Sequence, residues 1–201
     1  MVQTFDFEID IKNTGTSTEL FFRKTANEKG IIYRLTAVLF VHGWNILKAE
    51  ARTDDDNQIT DYFLIEPGNG QRFDSRMEDT IRKDLTDLFS GEISVMHYLS
   101  NYPGKMEELY SYHTHQSQSF IEITDDEESN NCLLELNTVD RPGLLFEISQ
   151  LLYLLYIDIL AFEAGSNDSN VNDKFVIRRE DAAIIDSAGK QRIREALSKI
   201  L

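Results

Sequence analysis

Two stretches place chemically capable residues just ahead of an apolar, helix-like run. "TVDRPGLL" (138–145) sets Asp140, Arg141, Pro142 and Gly143 before Leu144 and Leu145. "TANEKGII" (25–32) sets Asn27, Glu28, Lys29 and Gly30 before Ile31 and Ile32. The first turn of a helix carries unpaired amide N–H groups that attract carboxylates. Asp140 is the expected N-cap for the amides of that turn. Pro142 costs little inside it, where an N–H is unpaired anyway. Gly143 is the odd residue, because glycine in a helix is less stable than alanine. A glycine there is expected where a ligand or another backbone comes close. Fifteen residues after each glycine, a side-chain oxygen opens a strand-like run: Asn45 before Ile46, and Asp158 before Ile159. Amides for a carboxylate and an oxygen for an ammonium match the two poles of a free α-amino acid. The expected site therefore sets Gly143 for the carboxylate and Asp158 for the ammonium, with Gly30 and Asn45 as its counterpart.

The elements around these residues repeat. Gly30 and Gly143 stand 113 residues apart, and at that offset "NIL" (45–47) lies on "DIL" (158–160), and Glu50-Ala51 on Glu163-Ala164. The period is the length of a small domain, far above that of a solenoid repeat. In each copy a short apolar run reads as a strand, "TELFFRKT" and then "CLLELNT". A helix follows at 30–43, with Ile31, Leu35, Val38 and Leu39 on one face, and at 143–156, apolar almost all round. "WNILKAEART" and "IDILAFEAGS" read as strands, "TDYFLIE" and "DKFVIRR" as their hairpin returns, and 74–90 and 187–201 as second helices. The pattern predicts an α+β protein of two ferredoxin-like βαββαβ units, antiparallel sheets with helices on one face. "EISVMHYL" (92–99) is the expected last strand of the first unit. The second unit has no such strand, and "SQSFIEIT" (117–124) is expected in its place; "TFDFEIDIK" (4–12) adds a strand to the first unit. The expected division is 1–100, a linker at 101–116, and 117–201.

Composition narrows the function classes. A net charge of −15 and a pI near 4.6 argue against nucleic acid and against an anionic membrane surface. A hydrophobic fraction of 41% allows a sizeable core. The single cysteine, Cys132, lies beside leucines and reads as a buried strand residue. No signal segment is evident, and the apolar run 144–160 is charged and short of the roughly 20 residues a membrane span needs. A soluble, cytoplasmic protein is expected. "HTH" (113–115) lacks further ligands nearby, and His42 and His97 read as structural. "DDD" (54–56) and "DDEE" (125–128) lack calcium-loop spacing and read as solvated turns. Trp44 reads as a core or interface residue, and "LYLLY" (152–156) as a contact surface. No metal, cofactor or catalytic residue is expected.

"DRPGLL" followed by "IDIL", within a domain repeat, resembles the ACT domain, a small-molecule regulatory module. "IEITDDEESNNCLLELNTVDRPGLL" is most similar to the final domain of the paired C-terminal ACT domains of bacterial protein-PII uridylyltransferases. The resemblance covers 117–201 well and 15–100 more loosely. It implies side-by-side pairing, amino-acid binding at the domain interface, and glutamine as the candidate ligand. Asp140, Arg141, Pro142, Gly143, Leu144, Leu145, Asp158 and Ile159 would serve the second copy. Asn27, Gly30, Ile31, Asn45 and Ile46 would serve the first, where "NEKG" replaces "DRPG". The uridylyltransferase catalytic motifs are not found, so a regulatory pair read by a separate enzyme or regulatory protein is expected. The alternative is a ligand-free scaffold. Whether units pair within a chain or in a homodimer stays open at this level.

Overall fold

The computed structural model describes residues 7–15, 17–24, 28–53, 58–68, 73–113, 119–167 and 170–201. The first unit contains β1 (Phe7–Asn13), β2 (Thr18–Lys24), α1 (Ile31–Val41), β3 (Trp44–Thr53), β4 (Ile59–Pro67) and α2 (Ser75–Phe89). Two further helices follow, α3 (Val95–Ser100) and α4 (Pro103–Tyr112). The second unit contains β5 (Phe120–Asp125), β6 (Cys132–Val139), α5 (Leu144–Leu154), β7 (Ile157–Asn167), β8 (Asn170–Arg179) and α6 (Ser187–Leu197). No helix among the described residues is long and apolar enough to cross a membrane.

Alternation builds the strands. Leu20 and Phe22 on β2, Phe63 and Ile65 on β4, and Leu134 and Leu136 on β6 all point into one core, as does Phe175 on β8. Cys132 is buried there as expected. The two units form one antiparallel sheet of eight strands, ordered β1-β2-β4-β3-β7-β8-β6-β5. That order is symmetric about the β3–β7 junction, where Lys48 to Arg52 pair with Gly165 to Ala161. β5 takes the edge place beside β6 that the sequence pattern assigned to it.

The structure corrects several expectations. The stretch 92–99 is not a strand. Ser94 accepts a hydrogen bond from the His97 amide, and Val95, Tyr98 and Leu99 are buried at helical spacing. The sheet edge it would have filled is already taken by β1, so the first unit has four strands and not five. The expected linker, 101–116, carries α4, whose Leu109 is 1% exposed. Asp140 is not the N-cap of α5: Gly143 is, and no side chain caps that start, which leaves Pro142 ahead of the helix. α1 is the helix buried nearly all round, while on α5 Leu154 is exposed. The reason is neighbours: α1 packs against α2, α3 and α5, and α5 against α1 and α6. The turn "DDD" (54–56) lies outside the described residues.

The units interlock through α1 and α5. Thr36 Oγ1 meets Ser149 Oγ at 3.1 Å on the pseudo-two-fold axis, and the two positions are 113 apart. On the sheet the same axis passes between Glu50 and Glu163, which face each other across β3 and β7. Like charges in that arrangement are unfavourable, and Lys48, 2.6 Å from Glu50, offsets them. The repeated glutamates thus share a place, not a chemistry. Attraction between the units comes from the β3–β7 ladder, from the Phe63 and Phe162 rings 6.4 Å apart, and from the helices. The Tyr33 and Phe146 rings lie 5.8 Å apart, Tyr33 and Tyr153 5.1 Å, and Phe40 and Phe146 5.6 Å. Each such pair adds about 0.5–1.5 kcal/mol beyond burial.

The glycines complete this seam. Gly30 and Gly143 both have φ of 79°, a left-handed conformation that favours glycine. A Cβ on Gly30 would lie 2.7 Å from the Tyr153 ring. A Cβ on Gly143 would lie 2.9 Å from the Phe40 ring and 2.8 Å from Leu109 Cδ1. Phe40 and Tyr153 are themselves equivalent, 113 apart. Each glycine therefore seats the matching aromatic ring of the other unit. Gly143→Ala is expected to cost roughly 2–5 kcal/mol in urea unfolding, combining backbone strain of about 1–2 and overpacking of about 1–3 kcal/mol. Gly91→Ala is the control: its φ is 73° with nothing within 4 Å of the added Cβ, so only the backbone share is expected. Equal losses in the two variants would refute the interlock.

Candidate functional site

The pseudo-two-fold axis generates two sites, and each is built across the unit interface. The first takes Asp140, Arg141, Gly143, Leu144, Leu145 and Asp173 from the second unit, and Trp44, Asn45 and Ile46 from the first. The second takes Glu28, Gly30, Ile31 and Asp61 from the first unit, and Tyr153, Asp158 and Ile159 from the second. The expected partners are therefore exchanged. Gly143 does not share a site with Asp158 but with Asn45, and Asp158 meets Gly30. The cause is the seam: crossing α1 over α5 brings each glycine loop to the start of the other unit's inner strand. A β-bulge follows both starts, between Ile46 and Lys48 and between Ile159 and Ala161, re-aiming the strand beside each site.

Each site also holds a buried aspartate that the motif reading missed. Asp61 is 1% exposed and Asp173 2%. They are equivalent: "ITDYFLI" (59–65) and "VNDKFVI" (171–177) match with 112 between them, not 113. Both carboxyls are pushed up by burial. Asp173 rises to about 7; the Gly165 amide N–H, 3.2 Å away, opposes that shift, and the charge of Asp140 adds to it. Asp61 rises well above the usual carboxylate range through burial alone. Asp158 is raised by burial too, with Arg178 at 3.9 Å opposing.

The first site sets a guanidinium among its lining residues beside Asp173. Arg141 Nη2 donates to the Glu147 carboxylate and to the Ile200 carbonyl at 2.7 Å, and the guanidinium lies over the Tyr112 ring. Glu147 is buried and also meets His113 Nε2 at 2.6 Å. Of the "HTH" stretch only His113 is described, and it serves this clamp. Among the described residues, the buried side-chain atoms without a hydrogen-bond partner are Trp44 Nε1, Arg141 Nη1, Asp61 Oδ2 and Arg178 Nε. Three belong to residues lining the two sites, and the fourth to the partner of Asp158. Unpaired buried polar atoms are rare and call for a reason. The enclosed space is small, about 40 Å³ in the first site and about 30 Å³ in the second. A wider cavity of about 300 Å³ adjoins the first site, sharing Phe40, Trp44 and Asn45 with it and lined also by Pro142 and α4's Lys105 and Glu108.

The two sites differ in charge. The first has Arg141 beside Asp140 and Asp173; the second gathers Glu28, Asp61 and Asp158. Glu28 is held by Arg34 at 3.0 Å, and Lys29 lies over the Tyr153 ring and bonds Glu180 at 2.8 Å. Asn27 lies outside the described residues. Among the described residues no group of three or more His, Cys, Asp or Glu side chains could hold a metal ion.

No protein-family model matches the chain. A bifunctional uridylyltransferase/uridylyl-removing enzyme of Ruegeria pomeroyi is 25% identical over 174 residues, 85% of this chain and 18% of that protein. The same enzyme of Rhodospirillum rubrum is 22% identical over 175 residues, 86% of this chain and 18% of its own length. This chain thus spans under a fifth of these relatives. An aspartate kinase structure from Synechocystis overlaps 92% of this chain and 27% of its own, with a TM-score of 0.48 and 12% identity. Over most of its length, the chain is similar to the C-terminal region of the bifunctional uridylyltransferase/uridylyl-removing enzymes.

Proposed function

We propose that this pair of ACT-like units is a regulatory module that binds a free amino acid at the first interface site and signals to a partner enzyme or regulatory protein. The supporting observation is the convergence at that site of the uncapped start of α5, unpaired donors on Trp44 and Arg141, and the buried carboxyl of Asp173. The ligand carboxylate would take the α5 amides and the two donors. Its ammonium would take Asp173, with Asn45 of the other unit beside it. Glutamine is the first candidate. A space of about 40 Å³ holds a few waters rather than an amino acid. Binding would therefore widen the seam and shift a unit–unit equilibrium, only as far as affinity differs between its two states. The same small space favours a second reading, a ligand-free scaffold.

Calorimetric titration of the chain with each of the twenty amino acids separates the two. The sensor predicts one dissociation constant below millimolar, weakened at least tenfold in Asp173→Asn. Silence from all twenty leaves the scaffold. Gly143→Val is a poor discriminator, since the added carbons would strike Phe40 and Leu109.

The pH dependence is a further test. A carboxyl raised from 3.8 to about 7 binds its proton more tightly in the folded state. Its contribution to stability is thus present at low pH and falls as pH rises from about 4 to about 7. Asp173→Asn is expected to remove that fall and to be more stable than the parent at pH 8, by on the order of 1–3 kcal/mol. Ligand affinity should move the other way. An ammonium favours the ionised carboxylate, so binding should tighten about tenfold from pH 6 to pH 8. A flat profile in both measurements would remove Asp173 from the site.

A further inference from the structure

The two units differ at one matching place, the ground between the inner strand and the second helix. In the first unit Trp44 opens β3, Phe73 precedes the α2 cap, and Met77 sits in the first turn. The Trp44 and Phe73 rings lie 5.2 Å apart and fill that ground. Asp74 and Asp186 cap α2 and α6 in the same way, accepting from the Met77 and Gly189 amides. The caps fix the correspondence: in the second unit Ile157, Ile185 and Gly189 replace the tryptophan, phenylalanine and methionine. A groove of about 480 Å³ lies there, lined by those residues with Leu155, Tyr156 and Arg192.

The rim is apolar beyond the groove. Tyr156 is 68% exposed, Leu154 62% and Ile184 61%. Large exposed apolar residues grouped in this way mark contacts. Tyr156 also has φ of 61°, where its counterpart Gly43 has 71°. A tyrosine held in a conformation suited to glycine, with its ring outward, is a strained arrangement of the kind found at functional surfaces. Lys29 of the first unit lies 4.3 Å from that ring and ties the groove to the unit interface.

The rim charges are unevenly committed. Glu180 bonds Lys29 at 2.8 Å, Asp181 bonds Arg179 at 2.7 Å, and Asp186 caps α6. Arg192 is exposed and makes no hydrogen bond or ion pair with the described residues. The lining carries three acids, Glu180, Asp181 and Asp186, against Arg179 and Arg192, and Arg192 is the one of the five with no bonded partner among the described residues.

We propose that this groove docks a partner polypeptide that inserts an aromatic side chain beside an acidic residue. The aromatic group would occupy the space beside Ile157, Ile185 and Ile193 that the larger Trp44 and Phe73 side chains take up in the first unit. The acid would pair with Arg192. A polypeptide fits better than a small molecule because exposed apolar residues, Leu154 and Ile184, adjoin the lining residues Leu155 and Ile185 along the chain, while the rim acids that could orient a small ligand are already bonded.

The test uses the full chain and a random twelve-residue phage-displayed peptide library. Selection should enrich peptides with Trp, Phe or Tyr next to Asp or Glu, binding with micromolar constants. Ile185→Phe, which restores the first unit's residue, should weaken them at least tenfold. Arg192→Glu, an exposed change that leaves the core alone, should do the same if Ile185→Phe fails to fold. Failure to enrich such peptides, or equal binding to a folded variant of either kind, overturns the proposal. Indole-3-acetate is the small-molecule probe: affinity equal to the peptides' would assign the groove to small aromatic acids instead. Concentration-dependent dimerisation by light scattering, abolished by Arg192→Glu, would assign it to a second copy.

Discussion

The contact on which the rest depends is an aromatic ring seated on a left-handed glycine, made twice. Phe40 rests on Gly143 and Tyr153 on Gly30. A side chain on either glycine would occupy the ring's place, so α1 and α5 could not approach as they do. That packing accompanies the β3–β7 ladder, whose hydrogen bonds hold the strands at the usual spacing, and it favours a sheet continuous across the units despite Glu50 facing Glu163 at its centre. Aromatic burial along the helices outweighs a single repulsive pair on the solvent face, where water and Lys48 screen it.

Crossing the helices has a chemical consequence. Because each glycine loop is carried to the other unit's inner strand, neither site exists in an isolated unit. Asp173 lies in its own unit's β8 yet faces Asn45 of the other unit across the cavity. Anything that changes how the units sit changes both the space at the α5 start and the burial that raises the Asp173 carboxyl. Geometry and proton affinity are thus coupled through one interface.

The copies have drifted in opposite senses. At the Gly143 site α4 closes over the loop: Leu109 reaches Gly143, Tyr112 lies against Arg141, and His113 joins Glu147. At the Gly30 site Lys29 of the "NEKG" loop lies over the Tyr153 ring. Trp44, Phe73 and Met77 fill the first unit where Ile157, Ile185 and Gly189 leave a groove in the second. One pseudo-symmetric frame therefore presents an enclosed mixed-charge site, an acidic one, and an apolar groove.

Much of this was legible in the chain. The offset of 113 revealed the duplication, strand alternation and helical spacing placed most elements, and the apolar run ahead of the second copy pointed to β5 beside β6. The glycines stood out because a helix start does not need them. Periodicity misread 92–99, since a short run with Ile93 and Val95 suits a strand until Ser94 caps it and its edge proves taken. The Asp61–Asp173 pair was hidden by a slip of one residue in the repeat after the hairpin. Which glycine meets which strand could not be read from spacing, because the fifteen residues from each glycine to its own inner strand recur in both copies and say nothing of the partner across the seam. Only the crossing of α1 over α5 selects between them, and that crossing is a property of packed side chains, as is the burial that lifts Asp173 toward neutrality.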